Sequence, residues 1–155
     1  MTGDDSAGAD RIEGARAGDL PEIRALLLRC GLPVEGAAEH VGRFFVARDA
    51  AGGVVGCSGL EVHESAAVLR SLAVAPERRG GGLARRLIES TLSAARRAGC
   101  TDAYLLTHTV EKMAARYGFS RVPRDQVAHD ALRSGEFSLR TCATAAIMHR
   151  SLISR

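Results

Sequence analysis

The sequence predicts one mixed α/β domain: strands first, a helix that crosses over, then strand, helix and strand again. Three observations carry that prediction. An apolar run from Val68 to Ala75 enters Pro76 and a glycine turn, after which Leu83, Leu87, Ile88, Thr91 and Leu92 recur at helical spacing. Upstream, Phe44 to Arg48 and Val54 to Val62 flank Asp49-Ala50-Ala51-Gly52-Gly53 and read as a hairpin. Downstream, Asp102 to Thr107 forms a short apolar strand after a break at Gly99. A chain of 155 residues, 46% hydrophobic and 25% charged, has the size and composition of a single globular core.

The remaining elements follow in order. Met1 to Asp10 is small and acidic with nothing to bury, and is expected to be a disordered tail ahead of a domain spanning residues 11–155. Ile12 to Ala17 predicts a first strand. Asp19 is placed as an N-cap with Pro21 just inside, then Ile23, Leu26, Leu27 and Cys30 on one face until Gly31 stops the helix. A turn near His63 to Ala66 leads into the central strand. Thr109 is expected to cap a helix carrying Val110, Met113, Ala114 and Tyr117, which Gly118-Phe119 ends. Ser120 to Pro123 starts another strand, Val127 to Ser134 a helical turn, and Thr141 to Arg150 a last strand deep in the sheet. Helices are expected on both faces of that sheet.

Charge and cysteine usage narrow the class. A formal net charge of +3 is mild, and with 4% aromatics there is no basic stripe interleaved with stacking rings. That argues against nucleic acid and fits an anionic small molecule. Cys30, Cys57, Cys100 and Cys142 are far apart, with neither a C-x-x-C pair nor metal-ligand spacing. No apolar run reaches membrane length. Reduced thiols, no metal and a cytoplasmic location are the expectations.

The chemistry starts at Arg79-Gly80-Gly81-Gly82-Leu83-Ala84. A glycine turn between a strand and a helix start aims several backbone N–H groups and the positive end of the helix dipole at one point. Glycine lets phosphate oxygens approach the backbone closely. No Gly-Lys-Ser/Thr follows, so this is not a nucleotide P-loop, nor is it Gly-x-Gly-x-x-Gly.

With the preceding Leu-Ala-Val-x-Pro-Glu-x-Arg, the turn resembles the acyl-CoA signature of the GNAT N-acetyltransferases, Arg/Gln-x-x-Gly-x-Gly/Ala. The resemblance implies the GNAT fold, a mostly antiparallel mixed sheet with splayed central strands, and acetyl-CoA as co-substrate. It places the pyrophosphate on residues 79–84 and the pantetheine arm along Leu72, Ala73 and Val74. It also implies a bulge near Leu72 that frees an N–H for the thioester oxygen.

Farther on, Tyr104-Leu105-Leu106-Thr107-x-Thr109 ahead of Arg116-Tyr117-Gly118-Phe119 resembles N-acetylglutamate synthase catalytic domains. The small arsenic-resistance N-acetyltransferases are similar over more segments, including Gly59-Leu60-Glu61-Val62, Val122-Pro123-Arg124 and Glu136-Phe137-Ser138. This implies transfer to the amine of a small amino acid-like acceptor, an arsenical or phosphinic glutamate analogue among them, with Leu32 to His40 helping to wall its site. The synthases' Arg-x-Ser pair corresponds here to Cys142 and Thr144, so the positive charge that holds glutamate is gone. Cys142 reads either as a substrate contact or as a buried core thiol. Dimers are common in the superfamily.

Transfer from acetyl-CoA needs a group to take the amine's proton. Glu61 is nominated first, His63 and His108 after it. The family's usual thiolate-protonating tyrosine is replaced by Ala114, leaving water, Thr107 or Thr109 to finish the transfer. Arg70, two positions before Leu72, is read as an anion clamp on the same face, or as the partner of Glu61 or Glu64 on the neighbouring strand. The alternatives to a small-molecule acetyltransferase are a synthase-like enzyme, a peptide acetyltransferase, and a catalytically idle acyl-CoA-binding module.

Overall fold

The computed structural model describes residues 10–108, 110–138 and 144–153. Strands β1 (Arg11–Gly14), β2 (Phe44–Arg48), β3 (Val54–His63), β4 (Ala66–Val74), β5 (Asp102–Thr107), β6 (Ser120–Arg121) and β7 (Ala146–Ser151) form a seven-stranded sheet ordered β1-β2-β3-β4-β5-β7-β6. The helices are α1 (Leu20–Arg29), α2 (Ala37–His40), α3 (Leu83–Arg97) and α4 (Glu111–Arg116). β4 and β5 run parallel, whereas β1–β2, β2–β3, β5–β7 and β6–β7 are antiparallel. This is the mixed, mostly antiparallel sheet the sequence predicts.

The chain divides into two compact units, residues 1–59 with 71–93 and residues 60–70 with 94–155. In the first, Ile23, Leu26 and Leu27 of α1 join Phe44, Val46, Val55, Cys57, Ala73 and Leu87 in one buried cluster. Pro21 in the first turn and Gly31 at φ +70° bound α1 as predicted. Asp19 takes the N-cap position, but its carboxylate does not bond the helix. It accepts from Arg16 N–H at 2.8 Å and from Arg48 Nη2 at 2.7 Å, because a buried guanidinium is the stronger partner. In the hairpin turn, Asp49 Oδ1 accepts from the N–H groups of Ala51 and Gly53.

α3 presents one apolar stripe: Leu83, Leu87, Ile88, Thr91 and Leu92 are all buried. Thr91 satisfies its hydroxyl by donating to Leu87 O at 2.8 Å, and it shares a 2.7 Å hydrogen bond with Ser58 Oγ of β3. Asp10, assigned to the tail from sequence, is 5% exposed and ion-paired to Arg78 at 2.6 Å.

In the second unit Ala66, Val68, Tyr104, Val127, Ala131 and Phe137 form a small core. β7 pairs with both β5 and β6, which is the buried position expected of the last strand, but it starts at Ala146 rather than Thr141. Residues 139–143 lie outside the described residues. β6 spans two residues instead of four, since Pro123 has no N–H for a ladder. The predicted turn at 127–134 is part of a series of 3₁₀ turns, Arg124–Gln126, Ala131–Arg133 and Gly135–Ser138. The Tyr104 hydroxyl anchors this connection by accepting from Ala128 N–H at 3.2 Å.

Candidate active site

The first unit carries the glycine turn. β4 ends at Val74, Pro76–Arg78 makes one 3₁₀ turn, and α3 begins at Leu83. Gly80 and Gly82 take φ of +88° and +83°, conformations that side chains resist. A Cβ built on either meets nothing within 4 Å, so the backbone there faces open space. These residues fit the phosphates of a CoA molecule, with α3, fifteen residues long, supplying the dipole.

The Arg79 side chain is engaged within the protein. Its Nε donates to Val74 O at 3.1 Å and its Nη2 lies 3.5 Å from Cys30 Sγ. The guanidinium thus ties the turn back to the end of β4. Leu83 is buried and Ala84 half-buried, so they seat the helix while their backbone borders the turn.

Within β4, Ser71 takes φ +58°. A left-handed residue inside a strand departs from the regular pleat, and it stands next to the position at which the resemblance implies a bulge. Cys57 of β3 donates its thiol to Ser71 O at 3.3 Å, and burial pushes that thiol up to about 12. A neutral thiol donor thus supports the bent backbone.

The second unit carries the charged cluster. Arg70 Nη1 reaches Glu61 Oε2 at 2.7 Å, and Nη2 lies 3.4 Å from Glu136 Oε2. His63 Nε2 lies 2.8 Å from the other Glu61 oxygen. Glu61, nominated as the base, is 1% exposed, with one carboxylate oxygen ion-paired to Arg70 and the other on the His63 imidazole. Of the two readings of Arg70, the ion pair to Glu61 is present. Glu136 was not foreseen as its second partner. It sits on the last of a series of 3₁₀ turns far along the chain, and no local pattern connects it to Arg70.

The other candidates scatter. Thr107 is buried and its Oγ1 accepts from Val110 N–H at 2.9 Å, at the residue that precedes α4. Thr109 and Cys142 lie outside the described residues, and Thr144 is exposed in a turn. His108 is exposed, Ala114 is buried, and Tyr117 offers its carbonyl to Arg150 Nη1 at 2.6 Å. No group of three His, Cys, Asp or Glu side chains is arranged for a metal among the described residues. No helix among them is long and apolar enough to cross a membrane.

Residues 40–121, more than half of the chain, match the family model of the acetyltransferase (GNAT) domain. The protein belongs to the GNAT acetyltransferases. No curated protein matches it. Among solved structures, this GNAT chain is similar to Rv2747 from Mycobacterium tuberculosis, determined in complex with CoA and NLQ, at 25% identity and TM-score 0.78, covering 92% of this chain and 99% of that one. N-acetylglutamate synthase from Neisseria gonorrhoeae, complexed with coenzyme A and N-acetyl-glutamate, shares the fold at 24% identity and TM-score 0.78. The match covers 94% of this chain but 35% of the synthase. The GNAT family protein YhbS from Escherichia coli, in complex with CoA, shares it at 23% identity and TM-score 0.68, covering 94% and 82% of the two chains.

Proposed function

We propose that this GNAT protein is an acetyl-CoA-dependent N-acetyltransferase whose acceptor is the amine of a small amino acid-like molecule. The observation that carries the cofactor half is the open glycine turn at the start of α3, with Gly80 and Gly82 at positive φ and nothing over them. Complexes of Rv2747, the synthase and YhbS with CoA support it. The acceptor half rests on N-acetyl-glutamate in the synthase complex and on the buried Arg70–Glu61–Glu136–His63 cluster. The arsenical or phosphinic version of the acceptor rests on sequence resemblance alone.

Bound acetyl-CoA supplies an acetyl thioester. The amides of residues 80–84 hold its phosphates, and the strand backbone from Leu72 to Val74 lines its arm. The N–H of Leu72, next to left-handed Ser71, is assigned as the donor to the thioester oxygen, where negative charge develops during attack. The Glu61–His63 pair, 2.8 Å apart, is assigned the proton of the acceptor ammonium. Arg70 is assigned the acceptor's anionic group. That role requires the Glu136 carboxylate to give up its 3.4 Å place on Nη2.

A thiol-release assay tests this with acetyl-CoA, free amino acids, glutamate, and phosphinic and arsenical glutamate analogues. Turnover on one of these, with KM raised by Arg70→Lys, is the expected result. CoA binding without turnover on any amine would leave an acyl-CoA-binding module. The buried Ala114, where the family's tyrosine is absent, is the observation that favours that second reading.

A further inference from the structure

Asp10 lies where the described chain begins, and it is 5% exposed. A carboxylate is that buried only when paired, and this one is paired closely. Its Oδ1 and Oδ2 accept from Arg78 Nη1 at 2.7 and 2.6 Å. Its main-chain oxygen accepts from Arg86 Nη2 at 2.9 Å. Arg78 closes the Pro76–Arg78 turn, and Arg86 sits in the first turn of α3 with its N–H on Gly82 O at 3.2 Å. One residue therefore grips the chain on both sides of the glycine turn. Arg78 is held from the other side by Asp49 Oδ2 at 3.8 Å, and Asp49 is itself fixed by the hairpin turn it organises.

Between those grips Arg79 is tied to Val74 O at 3.1 Å, but the glycine segment that follows it has no side-chain packing of its own. Nothing stands within 4 Å of a Cβ at Gly80 or Gly82, and glycine loses more freedom on ordering than any other residue. Its order has to come from its ends. We infer that Asp10 is a positioning residue for the CoA-binding turn: by holding Arg78 and Arg86 it fixes the amides of residues 80–83 before the ligand arrives. This rests on the reading that the turn holds CoA phosphates. The chemistry recognised is a phosphate ester chain. Asp10 does not touch it, and acts through the geometry of the two arginines.

Two effects of opposite sign make the inference testable. Asp10→Asn removes a negative charge near a site for an anion, which by itself tightens CoA binding. It also weakens both side-chain bonds to Arg78, which loosens the turn and weakens binding. Calorimetric titration of the full chain with CoA decides between them, together with hydrogen exchange at the amides of residues 80–83 in the free protein. The expected result is a Kd raised by about three- to tenfold with faster exchange in the turn. Asp10→Glu keeps the charge and displaces the carboxylate, and should weaken CoA in the same direction. Unchanged or tighter binding by the Asn variant overturns the inference, and so does weaker binding with unaltered exchange. If the Asn variant does not melt cooperatively, the Glu variant carries the measurement under the same criteria. A wild-type chain that does not bind CoA overturns the cofactor reading instead, a result visible before any variant is made.

Discussion

The Arg70 guanidinium meets the Glu61 carboxylate at 2.7 Å with the two side chains 2% and 1% exposed, and Glu136 shares the same arginine. Desolvating these charges is costly, and each is tolerated because the others are present. Arg70→Met would remove the guanidinium that the two carboxylates share. The expected loss is about 3–5 kcal/mol of unfolding free energy, measured by urea denaturation. Substituting Glu136→Gln as well should recover part of that loss, since one uncompensated charge is removed with the arginine already gone.

Backbone geometry at Ser71 gives a second prediction. Its φ of +58° is tolerable for serine and poor for a β-branched residue. Ser71→Val should cost about 1–2 kcal/mol and depress kcat more than the affinity for CoA. The strain falls next to the amide assigned to the thioester oxygen. Denaturation and steady-state kinetics on the same preparation separate the two effects.

Close packing rather than conformation governs Gly59. A Cβ there would lie 2.4 Å from Phe44 Cε1, and Phe44 is 1% exposed with no room to move away. Gly59→Ala should destabilise the fold by about 1–3 kcal/mol. A shift in the thermal midpoint with CoA affinity otherwise preserved in the folded fraction is the expected signature.

The clasp around Arg48 predicts an acid dependence. Arg48 Nε and Nη2 bond Glu13 at 2.6 Å and Asp19 at 2.7 Å, and these hydrogen bonds hold both carboxyls below their ordinary values. The folded state therefore binds fewer protons than the unfolded chain once pH drops below the usual carboxylate range of about 4. Stability from the clasp is fully present above that range and is lost as pH falls through the lowered values. Arg48→Met should flatten the acid limb of the stability–pH curve and leave the difference from wild type largest near neutrality.

Thiol chemistry offers a quick check on burial. Cys57, with its thiol near 12 and no exposure, should resist alkylation at pH 8 in the native protein. Cys100 is buried and should be protected too, while the partly exposed Cys30 reacts. Mass mapping after brief iodoacetamide treatment reads this directly. Early modification of Cys57 would mean that the strand pair carrying it opens in the native state.

Legibility in the sequence followed the range of the interactions. The hairpin, the glycine turn and α3 are written in neighbouring residues, where turn chemistry and a 3.6-residue period act, and they stand where predicted. Glu61 and Arg70 flank a single tight turn, so their pairing was visible as one alternative. Glu136 and Asp10 reach their arginines across long stretches of chain, and single-sequence patterns carry no record of such contacts. Ser71 was hidden for another reason: serine gives no sign of a left-handed backbone, and only the family's expected bulge pointed to that place. Asp19 shows the opposite failure, a strong local signal for capping overridden by a distant arginine.

The hydroxyl pair of Ser58 and Thr91 joins α3 to β3 with both groups buried. Along a helix, each residue turns the direction of its neighbours by roughly 100°. The 2.7 Å bond between those oxygens, two turns from Leu83, permits one rotational setting and penalises the rest. It acts as a detent against rotation of the helix, made by two small buried polar groups. Replacing both with apolar residues of similar shape would keep the core filled while letting the helix choose its own angle.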